Sequence, residues 1–148
     1  MFAEYQPALL RYLRGRAGDD ADDIASETWI AAARGLTRFE GDGDGFRAWL
    51  FTIARNRLID EQRRAVRSVE VPAAEPSPSP EDEVVAAAAG DEAARRIARL
   101  LPPDQADVIL LRVIAGLSVD EVAAIIGKRP GTVRVLQSRG LKKLQNYL

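Results

Sequence analysis

An all-α protein, built as two small helical domains joined by a flexible Pro-rich linker, is the fold that the sequence predicts. Three observations carry that prediction. Alanine, leucine, arginine and glutamate dominate both ends of the chain, where apolar residues recur at helical spacing. Neither sustained apolar/polar alternation nor an Asn-Gly hairpin signal is present to mark strands. Between the helical stretches lies VEVPAAEPSPSPEDE, residues 69–83, which holds four of the eight prolines and has no periodicity. Such a segment is an extended, semi-stiff linker. The 148 residues therefore divide into 1–66, a linker at 67–88 and 89–148, and each unit has room for a small core only.

Composition removes several classes of function. With 47% apolar and 29% charged residues, the chain has the balance of a soluble globular protein. No apolar run approaches the roughly 20 residues of a membrane span, and the start of the chain lacks a basic-then-apolar signal, so a cytoplasmic location without membrane insertion is expected. The absence of cysteine rules out disulfides and thiol chemistry, and the absence of histidine removes the commonest general base and the usual zinc ligand. No catalytic residue, cofactor or metal is expected.

The net charge of −1 conceals segregation. Residues 19–44 carry eight acids and two arginines, residues 46–67 six arginines and two acids, and residues 128–143 six basic residues and no acid. Positive charge concentrated in two places is how a protein of neutral overall charge meets nucleic acid. The alternative for such runs is a solvated helix face.

In the first unit PALLRYLRGRAG reads as a helix opened by Pro7 and closed near Gly15 to Gly18. DDADDIASETWIAAARGLTRF is a second helix with acids in its first turns. EGDGDG follows as a flexible turn. Its acids at Glu40, Asp42 and Asp44 alternate as in a calcium loop, but the twelfth place holds Phe51 instead of glutamate. FRAWLFTIARNRLIDEQRR, residues 46–64, is the third helix. On a helical wheel Leu50, Ile53, Ala54 and Leu58 share a core side, and Thr52, Asn56, Ile59, Asp60 and Arg63 occupy another arc.

The second unit carries sharper punctuation. A helix from Asp91 to Leu101 stops at Pro102-Pro103, and Pro103 opens a second helix, DQADVILLRVIAG, expected to run to Gly116. Ser118 with Glu121 three residues later is a capping box for the short helix VDEVAAII, which Gly127 closes. After GKRP comes the basic helix GTVRVLQSRGLKKL. A short capped helix, a tight turn and a longer basic helix make a helix-turn-helix. Val133, Leu136, Gly140 and Leu144 should face the core, with Gly140 allowing close packing. Arg134, Val135, Ser138, Arg139 and Lys142 lie opposite, and Thr132 with the helix N-terminal amides suits a phosphate oxygen.

DDIASETWIAAARGL, FRAWLFTIARNRLIDEQRR and LSVDEVAAIIGKRPGTVRVLQSRGLKKL, in this order around a Pro-rich linker, resemble a bacterial RNA polymerase sigma factor of the extracytoplasmic-function group, sigma-70 family. The resemblance covers almost the whole chain. It implies a sigma-2 helical bundle in 1–66 and a sigma-4 four-helix domain in 89–148. It also implies binding to core RNA polymerase, through the clamp-helix coiled coil of the largest subunit and the flap of the second-largest, and recognition of minus-10 and minus-35 promoter DNA. Many members of the group are held inactive by an anti-sigma factor clamped between or around the domains, and the linker would permit this.

Carried over residue by residue, the resemblance assigns the minus-10 contact to Thr52, Arg55, Asn56, Ile59, Asp60, Arg63 and Arg64, with Asn56 on base edges and the arginines on the backbone. Gly41, Asp42, Gly43, Asp44 and Gly45 are the loop that helps to hold a flipped base, and Trp49 packs in the core. Thr52 and Ile53 stand where primary sigma factors have a tryptophan pair, which implies a weaker duplex opener. Minus-35 contact falls to Thr132, Arg134, Val135, Ser138, Arg139 and Lys142. Leu136 and Gln137 replace the arginine and leucine of many relatives. Asp23, Ser26, Glu27, Ile30 and Ala33 share a face that would dock on the polymerase coiled coil, with Ser26 in place of the usual glutamine. Two other classes stay open on the residues alone. A free-standing helix-turn-helix regulator would dimerise and bind duplex DNA tightly by itself. A helical enzyme would need a convergent carboxylate set, which the sequence does not offer.

Overall fold

The computed structural model of the chain describes residues 2–67 and 85–147, so most of the linker expected at 67–88 lies outside the described residues. Every long element within them is an α-helix: α1 Phe2–Ala17, α2 Ala21–Gly35, α3 Gly43–Arg67, α4 Val85–Leu100, α5 Pro103–Val113, α6 Val119–Ile126 and α7 Pro130–Gln145.

Helix boundaries follow local chemistry, with four departures from expectation, one of them at α4, which begins at Val85 inside the expected linker instead of at Asp91. Helix α1 begins at Phe2 and carries Pro7 in its second turn. A proline there withdraws one N–H from the Ala3 carbonyl, and Ala3 is exposed, so water can take that bond. Gly18, at φ +58°, ends the helical path in the left-handed region that glycine adopts without strain. Helix α3 starts at Gly43 instead of Phe46 because Asp42 caps it: Asp42 Oδ1 accepts a 2.8 Å bond from the Gly45 N–H. Helix α5 ends at Val113, three residues short of Gly116, with the Ile114 N–H closing on the Leu110 carbonyl. The expected capping box is complete. The Glu121 N–H donates to Ser118 Oγ at 3.1 Å and the Ser118 N–H to Glu121 Oε1 at 2.9 Å, and Gly127 at φ +71° terminates α6.

Packing departs further from the sequence. Helices α1, α2 and α3 form one bundle and α4 to α7 another, yet α1 also packs on α4 and α5, and α3 on α6. One apolar cluster consequently runs through both units, from Leu9, Tyr12, Leu13, Phe51 and Leu58 to Val108, Leu111, Val122 and Val133. Each unit alone has room for a small core only, and each large apolar side chain removed from water contributes about 1.5–3 kcal/mol. The crossing of α1 and α4 is close, because a Cβ at Gly15 would stand 3.0 Å from that of Ala94. A second cluster of Tyr5, Ala32, Phe46 and Leu50 fills the other side of α3. Trp49 lies at its edge, half-buried and stacked on Phe39 with ring centroids 5.0 Å apart.

Candidate nucleic-acid interface

Helix α7 presents the two faces expected of it. Val133, Leu136 and Gly140 are buried and Leu144 is half-buried. A Cβ at Gly140 would run into Ile109 Cδ1 on α5, so this glycine sets the approach of the two helices. On the opposite face Thr132, Arg134, Val135, Ser138, Arg139 and Lys142 are all exposed. Pro130 occupies the first turn, leaving the N-terminal amides of the helix beside Thr132. Arg112 of α5 ties α7 to the segment that leads into α6: its Nε donates to Gln137 Oε1 at 3.0 Å and its Nη1 to the Leu117 carbonyl at 2.8 Å. Gln137, which stands where many sigma factors have leucine, thus holds the motif together.

The expected minus-10 face on α3 is divided. Asn56, Asp60 and Arg63 are exposed and Ile59 is half-buried. Arg64 is exposed and lies 3.6 Å from Glu61. The Thr52 hydroxyl is committed to its own helix, donating to the Ala48 carbonyl at 2.7 Å. Arg55 departs most from expectation. Its Nε donates to Asp107 Oδ2 on α5 at 2.6 Å, and its Nη1 reaches the Ile125 carbonyl of α6 at 3.5 Å. A guanidinium prefers a buried carboxylate, in a medium of low dielectric, to solvent.

The expected base-flipping loop is shorter than the sequence implied. Gly43, Asp44 and Gly45 form the first turn of α3, and Gly41 and Asp42 alone precede it. Tyr5 anchors that turn by donating from its hydroxyl to the Gly43 carbonyl at 3.1 Å. On α2, Asp23, Ser26, Glu27, Ile30 and Ala33 are exposed together, and Ile30 remains 53% accessible. Asp23, Ser26, Glu27 and Ile30 line a groove of about 400 Å³ with Glu61 and Arg64 of α3.

Sequence reasoning missed the polar group that joins the two units. Asp107 is 2% exposed and accepts a 2.6 Å hydrogen bond from the Tyr12 hydroxyl as well as that from Arg55. Arg16 Nε lies 3.4 Å away. Burial, with the charge of Asp107 and the hydrogen bond to it, raises the Tyr12 pKa well above its usual value. One sequence signal pointed here: Asp107 interrupts the apolar run of DQADVILL, where an acid has to find partners.

Two helical units, the second carrying a capped short helix followed by a basic helix with an exposed face, define a two-domain helix-turn-helix protein. Comparison with known proteins specifies the class further. Residues 1–68 match the family model described as Sigma-70 region 2, and residues 91–144 match Sigma-70, region 4. The ECF RNA polymerase sigma factor ShbA of Streptomyces griseus subsp. griseus is 35% identical, over 98% of this chain and 84% of that protein. SigD of Mycobacterium tuberculosis, another ECF sigma factor, is 34% identical over 97% and 73%. Among solved structures, the sigma factor RpoE in complex with the anti-sigma factor NepR, from Bartonella quintana, aligns with a TM-score of 0.74 and 26% identity, over 98% of this chain and 92% of that one. The chain belongs to the extracytoplasmic-function group of RNA polymerase sigma factors. Its function is to bind core RNA polymerase and direct initiation from promoter DNA through minus-35 and minus-10 recognition.

Proposed function

We propose that α7 reads the minus-35 element, the exposed part of α3 reads the minus-10 element, and the α2 face docks on the clamp-helix coiled coil of the polymerase. The observation that carries this is the two-sidedness of α7: Val133, Leu136 and Gly140 are buried in the core, while Thr132, Arg134, Val135, Ser138, Arg139 and Lys142 all face outward. Arginines on an outward arc pair with guanine edges or phosphates. Asn56 supplies the base contact on α3, with Arg63 and Arg64 on the strand backbone. Gly41 and Asp42, with the capped turn Gly43 to Gly45, border the flipped base. The sigma-4 domain also meets the flap of the second-largest subunit. The protein works in the cytoplasm as an initiation factor and not as a catalyst, and an anti-sigma factor like the one that accompanies RpoE holds it in check.

Reconstitution with core polymerase tests the assignment. Arg134→Ala or Arg139→Ala should each weaken promoter binding by the holoenzyme by about 1–3 kcal/mol and leave core binding intact. Asp23→Ala combined with Glu27→Ala should do the reverse. Loss of core binding in the α7 variants would overturn the assignment. A tight footprint without polymerase would identify a free-standing regulator instead.

A further inference from the structure

The turn that leads into α3 is held by a side chain that the minus-10 assignment leaves without a task. Gly41, Gly43 and Gly45 stand within five residues, and glycine has the most backbone freedom to lose when a chain is fixed in one shape. Two bonds fix this one. Asp42 Oδ1 accepts from the Gly45 N–H at 2.8 Å, a cap between neighbours. Tyr5, on α1, donates its hydroxyl to the Gly43 carbonyl at 3.1 Å, and so ties the turn to a helix 38 residues away.

Tyr5 is a fixed anchor. It is 6% exposed, its ring packs on Phe46 with centroids 5.2 Å apart, and the Arg47 guanidinium lies 5.6 Å from the ring centroid. Phe46 in turn meets Phe39, which stacks on Trp49, and a Cβ at Gly41 would stand 3.0 Å from the Phe39 ring. The glycine turn thus runs close over an aromatic platform and is pinned to it by one hydroxyl. Phenylalanine would serve the packing equally well. What tyrosine adds is the bond to Gly43, the one hydrogen bond of its hydroxyl among the described residues. Helix α3 has little else with which to force a duplex open. Thr52 bonds its hydroxyl to the Ala48 carbonyl and Ile53 packs against the second apolar cluster, so neither is placed as a wedge. Extruding a base costs a few kcal/mol, which the site that receives it has to offset. A turn already ordered before the base arrives loses no further entropy in receiving it. We infer that Tyr5 is a positioning residue for promoter opening: through the Gly43 carbonyl, its hydroxyl holds the turn from Gly41 to Gly45 in the shape that receives the flipped base. The inference rests on the assignment of that turn to the flipped base given above.

Tyr5→Phe removes the hydroxyl and keeps the ring. Holoenzyme assembled with core polymerase is mixed with a promoter found by mapping the starts of its own transcripts, carrying 2-aminopurine in the minus-10 element, where fluorescence rises as the base unstacks. On the fully paired promoter the variant should open about three- to tenfold more slowly than wild type, the factor that one hydrogen bond supplies. On the same promoter mismatched across the minus-10 element, where unpairing is already done, the two proteins should initiate at equal rates, and their core binding should be equal. Equal opening rates on the paired promoter would overturn the inference. So would an equal loss on both templates, which is the mark of a general folding defect. Asp42→Ala removes the other anchor and separates the inference from the assignment beneath it. If Asp42→Ala slows opening and Tyr5→Phe does not, the turn receives the base without help from Tyr5. If neither slows it, the turn does not receive the base, and the assignment fails with the inference.

Discussion

Helices α3 and α7 both carry arginines and large apolar residues, yet they sit in the molecule in opposite ways. Helix α7 is one-sided, with Val133, Leu136 and Gly140 buried and its basic residues Arg134, Arg139, Lys142 and Lys143 all exposed. Helix α3 is encased from Phe46 to Leu58 on two of its sides and exposed beyond, from Gln62 to Val66. Phe46 and Leu50 enter one cluster, Phe51, Ala54 and Leu58 enter another, and α6 covers part of what is left. A basic helix therefore presents its charge to a nucleic acid only over the arc that packing leaves free. On α3 that arc holds Asn56, Asp60 and Arg63, while Arg55 faces another domain.

The largest effect should come from the encased helix. Phe51→Ala removes a fully buried ring that meets Tyr12 edge-on at 5.7 Å, and about 3–5 kcal/mol of stability should go with it. Because the cluster runs through both units, denaturant unfolding of this variant should stay a single transition at a lower midpoint. A split in which the α7 unit keeps the wild-type midpoint would show that the two regions are energetically separate. On the one-sided helix the sensitive position is the glycine. Gly140→Ala pushes a methyl group into Ile109, and such overpacking typically costs about 1–3 kcal/mol. Promoter binding by the holoenzyme should fall because α7 is displaced, and core binding, proposed to run through the α2 face, should persist. Unchanged stability in that variant would mean that α7 and α5 can separate freely.

The same contrast explains what the sequence disclosed. The two faces of α7, the Ser118 and Glu121 capping box and the outward acidic face of α2 are set by interactions between residues three or four apart, and these are visible in a linear reading. The start of α3 was legible in principle, since Asp42 is an ordinary capping residue, but the glycines around it read as loop. Arg55 could not be placed, because its partner Asp107 lies 52 residues away. The shared core was hidden for the same reason. Leu9 and Leu111 share one cluster from helices far apart in the chain, and nothing local tells a helix that a second domain will cover its other side.

The most selective probe of the junction between the two regions is alkaline. Tyr12 is held un-ionised by burial and by the negative charge and hydrogen bond of Asp107, so its pKa in the folded chain is raised. In the unfolded chain the same phenol titrates near the ordinary value of about 10. Below that pH both states keep the proton and the contribution of Tyr12 is fully present. As pH climbs above it, the unfolded chain releases a proton that the folded chain retains, and stability falls toward the folded pKa. Tyr12→Phe should be less stable than wild type at neutral pH by about 1.5–3 kcal/mol for the lost hydrogen bond to a carboxylate. Having no phenol to ionise, it should also escape this part of the alkaline decline. Chemical denaturation of the two proteins from neutral pH to beyond pH 10 should give stability curves that converge as pH rises. Curves that stay parallel would mean that the Tyr12 hydroxyl is open to solvent and that the junction does not stay closed in solution.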